Sequence, residues 1–182
     1  MYISNKFFSR RADIVAKDLL GKILCRKLRK KVLRAKIVET EAYFGEKDPS
    51  SRASKGENKV SRMMKQEPGK ILIYNVHKYK MLNFVTGRKN KASAVLIRAL
   101  EPLNFDLRTS GPGLLTKSLN IDDFFHGKFQ SKANDLWIEK SFFSNFKIIR
   151  SFRIGVKKDL PIKLRFYIKG NKFVSKNEKR NL

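Results

Sequence analysis

The chain has 182 residues, enough for one full hydrophobic core and short for two, and its 41% hydrophobic content with 14 Phe, 5 Tyr and 1 Trp excludes a disordered tail protein. Its 42 Lys and Arg against 16 Asp and Glu give a net charge of +26, spread along the whole chain, which points to nucleic acid ahead of an anionic membrane or an acidic protein. A lone Cys25 with His77 and His126 excludes an intramolecular disulfide and offers no zinc or iron-sulfur spacing, and Met1 to Arg11 lacks the apolar run of a secretory leader.

No segment reaches the length of a membrane span, so we expect a soluble intracellular protein of the cytoplasm or nucleoid, without metal or other cofactor. A genome rich in A and T would also inflate lysine, but it explains the scarcity of acid less well.

In chain order, Asp13 is placed to cap a helix over Ile14 to Leu20, with Val15 and Leu19 on one face and Gly21 as the stop. Lys22 to Leu28 alternates as a strand, Arg29 to Lys31 forms a basic turn, and a second strand runs from about Leu33 to Tyr43. Gly45 to Lys65, broken by Asp48, Pro49 and Gly56, reads as a loop. After Pro68-Gly69 the apolar runs Ile71 to Val76, Met81 to Val85 and Ala94 to Leu100, with a turn at Gly87 to Lys91, read as strands buried on both faces. Gly111-Pro112-Gly113 opens a helix through Leu119, further strands fit Leu136 to Glu139 and Leu164 to Ile168, and Lys176 to Leu182 reads as a frayed tail. With few helices between strands and neither a linker nor a repeat, residues 1–182 read as one α+β domain with an antiparallel sheet.

Polar residues interrupt three of these strands. The odd positions of the second strand run Leu33, Ala35, Ile37 and then Glu39, Glu41, Tyr43, so an apolar face turns acidic. Either the strand end emerges into solvent, or the carboxylates are hydrogen-bonded, paired or poised at a site, because an unpaired buried charge is costly. Asn83 and Arg98 interrupt two other strands; a buried Asn can tie down a turn, and an edge Arg can snorkel or pair with Glu101. Convergence on a pocket is the alternative, and Tyr43 and Tyr74 are suited either to core packing or to stacking on a nucleobase.

The string Ile37-Val38-Glu39-Thr40-Glu41-Ala42-Tyr43 resembles the signature of the alkyladenine, or 3-methyladenine, family of DNA glycosylases. Asp48-Pro49, Pro68-Gly69, Leu96-Ile97-Arg98-Ala99-Leu100-Glu101-Pro102, Gly111-Pro112-Gly113, Arg153-Ile154-Gly155 and Leu164-Arg165-Phe166-Tyr167 follow in the family's order, from about Phe7 to Ser175. The resemblance implies a single mixed domain around a curved antiparallel β-sheet with flanking helices. It also implies excision of damaged purines flipped out of double-stranded DNA, leaving an abasic site, by a monomer without metal or cofactor.

Carried over residue by residue, the resemblance implies that Glu41 is the base that activates water, with Arg98 and the main-chain carbonyl of Ile154 holding that water. Tyr43 and Tyr74 are implied to stack on the flipped base, and Asn83 to crowd the exocyclic amino group of guanine. A cationic 3-methyladenine is already a good leaving group and is drawn to electron-rich rings, so one positioned base suffices. Glu39 and Glu41 could otherwise suggest an acid and base pair of the carbohydrate-hydrolase kind, but the resemblance gives Glu39 no chemistry.

The chain departs from the family pattern in places. Arg52 stands where a base-stacking histidine is usual, and Val76-His77-Lys78-Tyr79 stands where the family carries Tyr-Gly, which leaves His77 or Tyr79 as the wedge that fills the duplex, His77 ahead. The stretch between Pro102 and Ser110 is shorter than usual, and Leu114 replaces a frequent lysine. Two alternatives remain open at this level, a glycosylase that also cleaves the strand through a lysine Schiff base, and a non-catalytic nucleic-acid binder.

Overall fold

The computed structural model describes residues 2–141 and 145–176, so the tail expected at Lys176 to Leu182 lies, beyond Lys176, outside the described residues. Helix α1 (Ala12–Leu19) precedes strands β1 (Ile23–Leu28) and β2 (Lys31–Tyr43) and a short helix α2 (Lys59–Met64). There follow β3 (Ile71–Val76), β4 (Tyr79–Val85), β5 (Ala94–Pro102), α3 (Pro112–Ser118), β6 (Leu136–Glu139), β7 (Ile148–Ser151) and β8 (Arg165–Ile168).

The strands form one curled antiparallel sheet in the order β3-β4-β5-β2-β1-β6, giving the α+β class that the strand-rich pattern predicts. β2 is its axis. Along one edge it pairs with β5; along the other it pairs first with β1, through Lys31 to Lys36, and then with β8, through Glu39 to Glu41. The β7–β8 hairpin thereby reaches the middle of the sheet where β1 has ended, and its pairing with β2 closes over both acidic residues.

One face of the sheet carries the main core. Ile71, Ile73, Leu82, Phe84, Val95 and Ile97 pack there against Phe8, Val15, Leu19, Leu115 and Phe125. α1 is pinned to this face where the Thr40 hydroxyl donates to the Ala16 carbonyl at 2.7 Å. On the other face a smaller cluster of Leu72, Val85 and Ala94 is covered by Ala53, Met63 and Met64, with Tyr43 and Tyr74 at its margin.

Two expectations are corrected, and one strand is added. The first helix begins at Ala12 after an Arg11 cap that has no side-chain cap bond; Asp13 lies inside the first turn, where its carboxylate accepts Arg11 Nε and Nη2 at 3.0 and 2.9 Å. The stretch Gly45 to Lys65 is not all loop: it holds a 3-10 turn at Arg52–Lys55 and then α2. Asn58 Oδ1 accepts from the N–H groups of Val60 and Ser61, Ser61 Oγ accepts from Asn58 N–H, and Met63 and Met64 supply the buried side. Strand β7, which the sequence reading passes over, is short and only half-buried.

Candidate active site

Pairing registers place the polar interruptions in line across the sheet. Leu72 on β3 faces Asn83 on β4, Asn83 faces Leu96 on β5, Leu96 faces Glu41 on β2, and Glu41 faces Arg165 on β8. Directly opposed residues of antiparallel strands project to the same side, so Asn83 and Glu41 share the face opposite the main core; Tyr74 and Tyr43, each two residues further along, share it too. The pairing of β2 with β5 is irregular around Glu39, opposite the segment that carries Arg98.

Neither carboxylate emerges into solvent: Glu39 and Glu41 are both 0% exposed. Glu41 Oε1 accepts the Ile154 N–H at 2.8 Å and lies 3.3 Å from Arg98 Nη1, while Oε2 accepts the Tyr43 hydroxyl at 2.7 Å. Arg98 Nη1 also donates to the Ile154 carbonyl at 3.4 Å. Glu41, Arg98 and both main-chain polar groups of Ile154 therefore meet at one point, 113 residues apart in sequence. Burial pushes the Glu41 carboxyl above the usual carboxylate range, and Arg98, the Ile154 N–H and the Tyr43 hydroxyl pull it back only in part. The Tyr43 hydroxyl is itself held well above its ordinary value by burial and by the facing Glu41.

Glu39 is saturated by structure. Its oxygens accept Arg165 Nε at 2.6 Å, the Ser175 N–H at 2.7 Å and the Ser175 hydroxyl at 2.8 Å. Arg98 Nε lies 3.3 Å from Glu39 but at an angle that makes no hydrogen bond, so that contact is Coulombic only. Arg98 thus pairs with Glu39 and Glu41, and the expected alternative partner Glu101 instead binds Lys36 and Asn171, each at 2.6 Å.

Beneath Tyr43 lies an ion cluster. Arg153 donates to both Asp48 oxygens at 2.7 Å and to the Ala42 carbonyl at 2.9 Å, and its Nε donates to Asp159 at 3.0 Å. Its guanidinium sits 4.5 Å from the Tyr43 ring centroid, covering one face of that ring. Arg52 lies likewise 5.1 Å from the Tyr74 ring centroid, so it does turn to the site face of the sheet. Asn83 Nδ2 donates to the Met81 and Leu72 carbonyls at 3.1 and 3.4 Å, which leaves the oxygen of the amide for the site.

The structure therefore brings Glu41, Arg98, Ile154 and Tyr43 into direct contact and sets Tyr74, Asn83 and Arg52 on the same face. It does not bring His77 and Tyr79 there. They flank the tip of the β3–β4 hairpin, His77 exposed at φ 52° and Tyr79 with its ring laid on α3, where a Cβ at Gly113 would come within 2.6 Å of it. Nothing in the sequence pattern assigns a role at the site to Asp159, Ser175 or the Asp48–Arg153 pair; Asp48 stands out only as a loop breaker and, like Arg153 and Arg165, as a member of a short matching string. A surface cavity of about 810 Å³ between Phe7, Lys17 and Phe146 involves none of these residues. Among the described residues no cluster of His, Cys, Asp and Glu could hold a metal, and no helix is long and apolar enough to cross a membrane.

Comparison with known proteins gives a consistent result. Residues 6–172 match the family model described as methylpurine-DNA glycosylase. A protein of Aeropyrum pernix is 40% identical, the alignment covering 96% of this chain and 93% of that one; one of Clostridium beijerinckii is 36% identical over 97% and 100%. A third, of Borreliella afzelii, is 40% identical over 93% and 97%, and all three carry the name "Putative 3-methyladenine DNA glycosylase".

Proposed function

The chain belongs to the methylpurine-DNA glycosylase family, and from that premise we propose that it excises damaged purines from double-stranded DNA with a water molecule activated by Glu41. The observation that carries this reading is the convergence of the buried Glu41 carboxylate, the Arg98 guanidinium and the Ile154 carbonyl, a base, a cation and an acceptor that together can hold and orient one water.

The damaged nucleotide leaves the stack, since the anomeric carbon is out of reach within a duplex. Because Glu41 has no exposed surface, the flipped sugar reaches the water only as the groups packed over the carboxylate rearrange. Tyr43, backed on one face by Arg153, offers its other face to the base, and Tyr74 offers a second ring. Asn83 Oδ1 and its backbone-tethered amide crowd the position of the guanine exocyclic amino group. His77, exposed at the hairpin tip, fills the space the nucleotide leaves, whereas Tyr79 is engaged by α3.

In the chemical step the water oxygen bonds to the anomeric carbon, its proton passes to Glu41, and the bond from that carbon to the purine nitrogen breaks with its electron pair going to the base. The products are a free base and an abasic site. No lysine is needed as a nucleophile, and the protein acts as a monofunctional, monomeric enzyme.

The test is an excision assay on a duplex with one hypoxanthine, read for free base, with borohydride present in a parallel reaction. Release of free base with no trapped covalent adduct is expected. A trapped protein–DNA adduct would replace water by a lysine amine, and duplex binding without any released base would reduce the protein to a binder.

A further inference from the structure

We propose that Arg52 sets the lesion class of this site, turning it towards neutral damaged purines and away from cationic, ring-methylated ones; the proposal rests on the glycosylase reading above. The two rings proposed to stack on the flipped base, Tyr43 and Tyr74, each carry a guanidinium, and the two guanidiniums differ in one respect. Arg153, over Tyr43, is buried and neutralised by Asp48 and Asp159. Arg52, over Tyr74, makes no ion pair among the described residues, so no carboxylate offsets it. Its main chain is anchored where Asn58, the cap of α2, donates to the Arg52 carbonyl at 3.2 Å and Ser51 caps the turn that follows, and its side chain bonds the Tyr74 hydroxyl.

The charge balance of the site turns on this residue. Four carboxylates, Glu39, Glu41, Asp48 and Asp159, face three guanidiniums, Arg98, Arg153 and Arg165, which leaves one negative charge while Glu41 is ionised. That remainder would favour a cationic purine. Arg52 cancels it and already occupies a Tyr74 face that could otherwise attract a cation.

The same charge has the opposite effect on a neutral lesion. When the bond from the anomeric carbon to a neutral purine breaks, the electron pair leaves the ring negatively charged until it takes a proton from solvent water. A guanidinium fixed beside the ring stabilises that developing charge, which a neutral leaving group needs and a cationic one does not. Arg52 therefore acts twice in one direction, repelling the cationic substrate and assisting the departure of the neutral one.

The experiment measures single-turnover release, corrected for spontaneous loss, of hypoxanthine from a defined duplex and of 3-methyladenine and 7-methylguanine from duplex treated with dimethyl sulfate. Wild type, Arg52→Gln and Arg52→Lys are compared, each checked for an unchanged melting transition. Arg52→Gln is expected to raise the ratio of cationic to neutral release about tenfold or more, and Arg52→Lys, which keeps the charge, to stay within about threefold of wild type. A ratio unmoved by Arg52→Gln, or moved as far by Arg52→Lys, overturns the proposal while leaving the glycosylase reading standing. Release of neither lesion by the wild type overturns that reading and the proposal with it.

Discussion

Glu41 is incompletely stabilised as a carboxylate, and the base role proposed for it rests on that. Burial raises its proton affinity, and Arg98, the Ile154 N–H and the Tyr43 hydroxyl offset only part of that, so the carboxylate stays more basic than one in water. If Glu41 is the base proposed above, it works only when ionised, and single-turnover excision should rise with pH along an acid limb centred above the ordinary Glu value of about 4.3. Tyr43→Phe removes a hydrogen bond that favours the ionised form, so it should move that limb to higher pH. A limb that stays put or moves down would mean that the Tyr43 hydroxyl does not act on the base. Cys25 shows burial prevailing over weaker opposition: burial first and Glu139 second push its thiol up to about 12 against the pull of Arg34 and Lys132, which leaves it inert at neutral pH.

At the scale of elements, the site is assembled by β2, β5 and the segment before β8, and the Asp48–Arg153 pair joins the first of these to the last. Asp48 accepts the Phe44 and Ser50 N–H groups and both ends of the Arg153 fork, so it locks the turn after β2 onto the residue next to Ile154. Asp48→Asn should cost about 3 kcal/mol in denaturant unfolding, the usual cost of breaking a buried pair. Burial pushes the Asp48 carboxyl up, but Arg153 and the two N–H groups outweigh it and hold it below the ordinary Asp range. Its stabilisation is therefore present above pH ~4 and lost as pH falls through the depressed value, so mutant and wild type should converge only in stronger acid.

Much of this architecture was legible in the sequence, for identifiable reasons. β3 and α3 fall close to their expected places because Gly and Pro mark their starts, and β5 and β6 because each contains an apolar run that reads as a strand. α2 was hidden because six residues cannot display a helical period beyond Val60, Met63 and Met64, and β7 because a half-buried edge strand has no continuous apolar run. The face turning acidic in β2 was visible, but its burial depends on β8 pairing from more than 120 residues away. No spacing rule announces Arg165 as the partner of Glu39, or Arg153 as that of Asp48; only the folded registers and loops do so.

For the whole molecule, the charged groups divide into two populations. Those around Glu41 nearly neutralise one another, whereas the +26 of the chain comes from Lys and Arg spread along its length, a distribution suited to a polyanion's surface. Affinity for undamaged duplex should thus fall about a thousandfold between roughly 50 and 200 mM salt if six or more phosphates are engaged, and a shallow salt slope would contradict a phosphate-led interface. Binding and chemistry then depend on separate sets of residues, and that separation is what the central claim requires. It is tested most directly by single-turnover excision and duplex affinity measured together on Glu41→Gln, which keeps the shape of the side chain and removes its basicity. The account predicts excision of hypoxanthine slowed by about a thousandfold, within the range of one positioned base, with duplex affinity within about threefold of wild type. Excision by Glu41→Gln at the wild-type rate would contradict it.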